Sequence, residues 1–138
     1  GIDELLRQAW ESGTVMSGMS AGSICWFAYG NSNSFYTNKP FRVTGMGWFP
    51  LLICPHYDSE PYRQDALKKM MRRTPHMAGL ALDEHAAREV VDDTYRVHLF
   101  KPGAKARKCY WADGKYVMEP VESKQSYVPL RSLIHLQG

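Results

Sequence analysis

The chain opens in a helical pattern. Ile2, Leu5, Leu6, Ala9 and Trp10 recur at the i, i+3, i+4, i+7, i+8 spacing that gathers apolar side chains on one helix face. Asp3 and Glu4 suit the positive end of the helix dipole, and Gly13 suits a helix stop. Residues 14–17 then form a short apolar run that reads as a strand, "GMSAG" (18–22) reads as a turn, and residues 21–29 read as a second helix. Helix, strand, tight turn and helix in succession predict an α/β layer around a parallel sheet.

Further along, "NSNSFYTNKP" (31–40) is dense in loop-forming residues. An apolar strand is expected around residues 51–54, stopped by Pro55, with His56 just past its end. Ser59 can cap a helix running to about residue 73, with Pro61 in its early turn and Tyr62, Ala66, Met70 and Met71 on its inner face. "HMAGLALDEHAA" predicts a strand over about 77–82 that ends in Asp83-Glu84. Beyond it the texture becomes that of short antiparallel strands, turning at Asp92-Asp93 and at Ala112-Asp113-Gly114. "VPLRSLIHL" reads as a terminal helix or an irregular cap. The expectation is one domain over 1–138, a parallel α/β part followed by a hairpin region.

Composition narrows the partners. The 138 residues suffice for a single core, and the apolar and charged fractions, 44% and 22%, are those of an ordinary globular chain. A net charge of +3 is too small to argue for nucleic acid. The basic clusters at 68–73 and 101–108 read as a solvated helix face and a charged turn. No apolar run approaches the roughly 18 residues that span a bilayer, so no membrane partner is expected. Cys25, Cys54 and Cys109 are odd in number and lack CxxC spacing. That disfavours a disulfide framework or a zinc site and, with no signal-peptide pattern at the start, favours a cytoplasmic setting. The chain begins inside a helix without a start methionine, as a piece of a longer protein would.

The candidate chemistry starts at Gly18-x-Ser20-x-Gly22, the pattern of a nucleophile elbow. A turn this sharp strains the nucleophile's backbone and needs small neighbours. It lifts the serine oxygen above the sheet, and the Ala21 N–H that follows could donate to a developing oxyanion. A serine nucleophile needs a base, and the base an orienting group. Of five histidines, His56 follows an apolar strand, at the carboxyl edge where open α/β sheets place their sites. His76 precedes its strand, His98 sits inside one, His135 lies near the terminus, and His85 is a weaker rival. Asp83 and Glu84 both end a strand, and alternation lets only one of them point into a site. Asp58 and Glu60 lie too near His56 in sequence to orient it easily. The order Ser20, His56, Asp83 or Glu84 departs from the nucleophile, acid, histidine order of α/β-hydrolases.

Three blocks carry a resemblance: "GTVMSGMSAGS" (13–23), "LLICPHYDSE" (51–60) and "GLALDEHAA" (79–87). In this order and spacing the chain resembles the S51 serine peptidases, a family that includes dipeptidase E and cyanophycinase. The resemblance implies a fold like class I glutamine amidotransferases, a three-layer sandwich with a largely parallel sheet and helices on both sides. It implies Ser20 as nucleophile, His56 as base and Glu84 as third member, with Arg63 as a partner for an acidic substrate side chain. The family's preference is for short peptides cut at aspartyl residues, through an acyl-enzyme and without metal or cofactor. Family members carry an amino-terminal half with a second oxyanion donor ahead of the helix where this chain starts. An incomplete site and self-association, as a homodimer, are therefore expected. A non-catalytic binding or assembly module, or an esterase or acyl transferase using the same elbow, are the alternative functions.

Overall fold

The most apolar run of the chain lies at the centre of the sheet. β3 (Phe49–Cys54) is fully buried over its last four residues. Its neighbours β1 (Phe27–Ser32) and β4 (Ala78–Leu82) both run parallel to it. Strands covered on both faces need no polar alternation, which is why "LLIC" and "AGLAL" read as unbroken apolar segments. The structure, a computed structural model, describes residues 1–34 and 39–134. Antiparallel strands flank the parallel centre: β2 (Phe41–Thr44) beside β1, and β7 (Ala106–Ala112) then β8 (Lys115–Val121) beside β4. The order is β2-β1-β3-β4-β7-β8, so the protein is α/β with a mixed sheet around a parallel core.

Alternation along the central strands sorts side chains to two faces. Leu52, Cys54, Ala81 and Cys109 meet Leu67, Met70 and Met71 of α3 (Tyr62–Arg72). Leu51, Ile53, Ala78 and Leu80 meet Tyr95, Val97 and Leu133. Those last three belong to a second sheet, in the order β5 (Ala86–Val91), β6 (Thr94–Leu99), β9 (Val128–Pro129), and to α4 (Arg131–Ile134). Helices are thus not the main cover of both faces. The hairpin region folds back and closes one face with Val90, Tyr95 and Val97, helped by the short helices α2 (Ala21–Ile24) and α4.

Other expectations need correction. Residues 14–17 form no strand: they pair with none of the described strands, so the run lacks the ladder that would hold it extended. Val15 and Met19 stand exposed there. The helix expected over 21–29 stops at Ile24, and Phe27 begins β1 instead. "WFAY" is aromatic and suited to a pleated, half-buried surface, and its parallel pairing with β3 overrides the local helical pattern. The helix expected from a Ser59 cap starts at Tyr62 after Pro61, with no side-chain cap. The hairpin turns fall where expected. Asp113 and Gly114 take φ of 50° and 73° between the paired Ala112 and Lys115, the left-handed conformation a two-residue hairpin needs. Helix α1 (Ile2–Glu11) rests on the body through Trp10, whose ring stacks on Trp48 at 4.9 Å.

The second sheet carries a charge cluster. Glu89 accepts hydrogen bonds from Arg96 Nε at 2.6 Å and Tyr127 Oη at 2.6 Å, and His98 Nε2 lies 2.7 Å from the same carboxylate. The Arg96 bond first, then those of Tyr127 and His98, push the Glu89 carboxyl down to about 2. A carboxyl depressed on folding contributes stability that is present above its unfolded value and lost as pH falls through its folded one. The difference in thermal midpoint between the wild type and Glu89→Gln should therefore be constant near neutral pH and shrink between about pH 4.5 and about pH 2, as read by circular dichroism melts.

Candidate active site

Because β1, β3 and β4 are parallel, their carboxyl ends share one edge of the sheet, the edge at which such folds assemble sites. His56 follows β3 there and Glu84 follows β4. Ser20 reaches them from the turn before α2. Its backbone sits at φ 52°, ψ −118°, outside the regions a side chain accepts without strain. A Cβ on Gly18 would come within 2.0 Å of the Gly22 carbonyl oxygen, so the turn closes only with glycine at 18. A Cβ on Gly22 would meet nothing within 4 Å, so the clearance expected from both glycines is needed from one.

The turn is held by its own backbone. The Ser20 carbonyl accepts hydrogen bonds from the Ser23 N–H at 3.0 Å, the Ile24 N–H at 3.3 Å and the Ser23 hydroxyl at 2.7 Å. The Ala21 N–H makes no hydrogen bond among the described residues. Helix α2 has only four residues, so its dipole adds little and an oxyanion would depend on that individual N–H.

His56 joins the other two side chains. Its Nε2 lies 2.8 Å from Ser20 Oγ, and its Nδ1 pairs with Glu84 Oε1. Residue 56 also has φ of 55°, so the histidine leaves the strand end on a left-handed turn. The Glu84 carboxyl is held below the usual range, first by its bond with His56 and then by that from the Ser59 hydroxyl. It therefore stays ionised at neutral pH.

The three aligned side chains lie inside a recognisable sequence region. The profile of Peptidase family S51 matches residues 1–98, which include Ser20, His56 and Glu84. The uncharacterized peptidase YgaJ of Bacillus subtilis (strain 168) is 32% identical over 125 residues, covering 90% of this chain and 54% of that protein. The chain belongs to peptidase family S51. It spans about half the length of the curated relative it matches.

In this S51 chain the two strand-ending acids part company. Asp83 is buried and turned inward, accepting from Arg107 at 2.6 and 3.3 Å and from the Lys105 N–H at 3.0 Å. Glu84, the next residue, faces His56. Arg63 is 2% exposed, and its guanidinium donates to Glu60, to the Asn31 carbonyl at 2.5 Å and to Asn33 Oδ1 at 2.9 Å. Burial opposes ionisation of Glu60, but the bonds from Tyr62 and Arg63 outweigh it and hold that carboxyl below its usual value. The charge of Arg63 is thus already matched, and the side chain is not a free clamp facing solvent.

The remaining histidines stand elsewhere. His76 is in the turn before β4, His98 pairs with Glu89, and His85 is exposed one residue past Glu84 at φ 62°. His135 lies outside the described residues. Among the described residues no three His, Cys, Asp or Glu side chains group as metal ligands, and no helix is long and apolar enough to cross a membrane. Cys54 and Cys109 are buried free thiols, pushed up by burial to about 12 and about 11, and so unreactive.

Sequence reasoning missed how the acid is supported. Asp58 accepts the Glu84 N–H at 2.7 Å, and the Ser59 hydroxyl donates to Glu84 Oε1 at 3.0 Å. From sequence, Asp58 looks too near His56 to orient it, and Ser59 looks like a helix cap. Their partner is the acid 25 residues or more away, which sequence order alone does not reveal.

Proposed function

We propose that the protein is a serine peptidase that hydrolyses short peptides, at acidic and chiefly aspartyl residues, through a Ser20-His56-Glu84 triad and an acyl-enzyme. The observation that carries the proposal is the continuous contact from Ser20 Oγ through both ring nitrogens of His56 to Glu84. In the proposed reaction His56 Nε2 takes the hydroxyl proton as Ser20 Oγ attacks the peptide carbonyl carbon. Glu84 fixes the tautomer that leaves Nε2 free to accept and stabilises the imidazolium that forms. The Ala21 N–H donates to the oxyanion. The C–N bond then breaks, and the imidazolium returns the proton to the leaving amine. Water attacks the acyl-Ser20 ester by the same route and releases the acid.

The preference for aspartyl substrates follows from the family resemblance. We assign Arg63 to holding the Asn31–Asn33 segment, to which its fork is already bonded. Turnover of a matched set of Asp-Xaa, Ala-Xaa and simple ester substrates tests the reading. Asp-Xaa peptides should be cleaved at least about tenfold faster than their Ala counterparts, the discrimination one hydrogen bond to a charged group supplies. Turnover of esters with none of peptides would instead favour an esterase.

A further inference from the structure

We infer that Ser59, acting with Asp58, is a positioning residue for the triad acid, fixing the Glu84 carboxylate against His56. The inference rests on the triad reading above. Three hydrogen bonds join the segment after His56 to the segment around Glu84. The Tyr57 N–H donates to the Leu82 carbonyl at 3.0 Å. The Glu84 N–H donates to Asp58 Oδ1 at 2.7 Å. The Ser59 hydroxyl donates to Glu84 Oε1 at 3.0 Å, the same oxygen that pairs with His56 Nδ1. Backbone and side chain of the acid are thus both held by residues that immediately follow the base.

The arrangement answers a physical need. The Glu84 side chain is 42% exposed, far more open than the buried Asp83 beside it. A flexible carboxylate in contact with water samples several rotamers and loses entropy when it is confined to one. A donor on the carboxylate and an acceptor on its backbone N–H confine it before substrate arrives, and such pre-organisation keeps a catalytic contact aligned. From the opposite side Asp83 is tied to Arg107 and to the Lys105 N–H, so the turn carrying Glu84 is gripped at both ends. Ser59 would ordinarily serve as a helix cap at such a position, yet α3 begins at Tyr62 without a side-chain cap and the hydroxyl goes to Glu84.

Two readouts on the whole chain test the inference. A fluorophosphonate that labels Ser20 gives a limiting rate and a half-saturating concentration. Ser59→Ala should lower the limiting rate about three- to tenfold and leave the half-saturating concentration unchanged, the loss expected for one hydrogen bond to a charged group at an open site. Ser59→Thr, which keeps the hydroxyl, should restore it. In parallel, the 15N shifts of the His56 ring report the proton on Nδ1. In Ser59→Ala they should move toward those of Glu84→Gln, and in Ser59→Thr they should return. Wild-type labelling and unmoved ring shifts in Ser59→Ala would overturn the inference. If the wild-type protein takes no phosphonate on Ser20, the proposed function falls, and the ring shifts alone still decide whether Ser59 holds Glu84.

Discussion

His56→Ala should slow both peptide hydrolysis and phosphonate labelling of Ser20 by about ten-thousand-fold or more, the scale on which removing the base of a serine triad acts. In the proposed reaction the 2.8 Å contact between His56 Nε2 and Ser20 Oγ is the route by which the hydroxyl proton leaves, and no other histidine among the described residues approaches it. Glu84→Gln should fall in the same direction by up to about ten-thousand-fold, because an amide can present its N–H₂ to Nδ1 and trap the tautomer that puts the proton on Nε2. Such a variant should keep its fold, since the Glu84 side chain is 42% exposed and glutamine has the same shape. Stopped assays of peptide cleavage, beside melts of each variant, separate a chemical loss from a folding one. A Glu84→Gln protein with wild-type turnover would contradict the assigned role.

The second large effect is steric. Gly18→Ala places a methyl group 2.0 Å from the Gly22 carbonyl oxygen, a backbone atom that cannot swing aside. The turn must open to accept it, at a cost of about 1–3 kcal/mol in stability as for other overpacked sites. The same opening moves Ser20 relative to His56, and a shift near 1 Å in such a geometry costs about a hundredfold in rate. Gly22→Ala adds its methyl to open space and should stay within about 0.5 kcal/mol of the wild type. Urea unfolding and labelling rates of the two variants therefore form a matched pair. Equal behaviour of both would remove the steric argument for Gly18.

Much of the site was legible because its chemistry coincides with strong local signals. Pro55 and the change from apolar to polar residues mark the ends of β3 and β4, and a parallel sheet brings such ends together. That placed His56 and the pair Asp83-Glu84 on one edge, whereas Ser20 is legible only through the Gly18-x-Ser20-x-Gly22 pattern, since no strand precedes it. Strand alternation alone leaves open which acid faces His56, and it is Arg107, 24 residues downstream on β7, that claims Asp83. The hairpins were legible from Asp-rich turns with the left-handed backbone they need. What local pattern could not supply was competition between neighbours. Residues 14–17 look like a strand but find no described partner. Residues 25–29 look helical but gain more from pairing with β3. The second face looked set for helices, yet the hairpin region covers it, a choice made by long-range contacts of Tyr95 and Val97 with Leu51 and Leu80. Arg63 reads from sequence as a charge for substrate; Glu60 stands only three residues before it, but its other two partners, the Asn31 carbonyl on β1 and Asn33 just past that strand, are about 30 residues away and carry no local signal.

In the proposed reaction Ser20 is a nucleophile activated by His56. Intact-mass analysis after treatment with a fluorophosphonate, followed by peptide mapping, tests it most directly. A single adduct on Ser20 should form in the wild type, be absent in Ser20→Ala and be strongly slowed in His56→Ala. A folded wild-type protein that takes no adduct, or takes it on another serine at an equal rate, would contradict it.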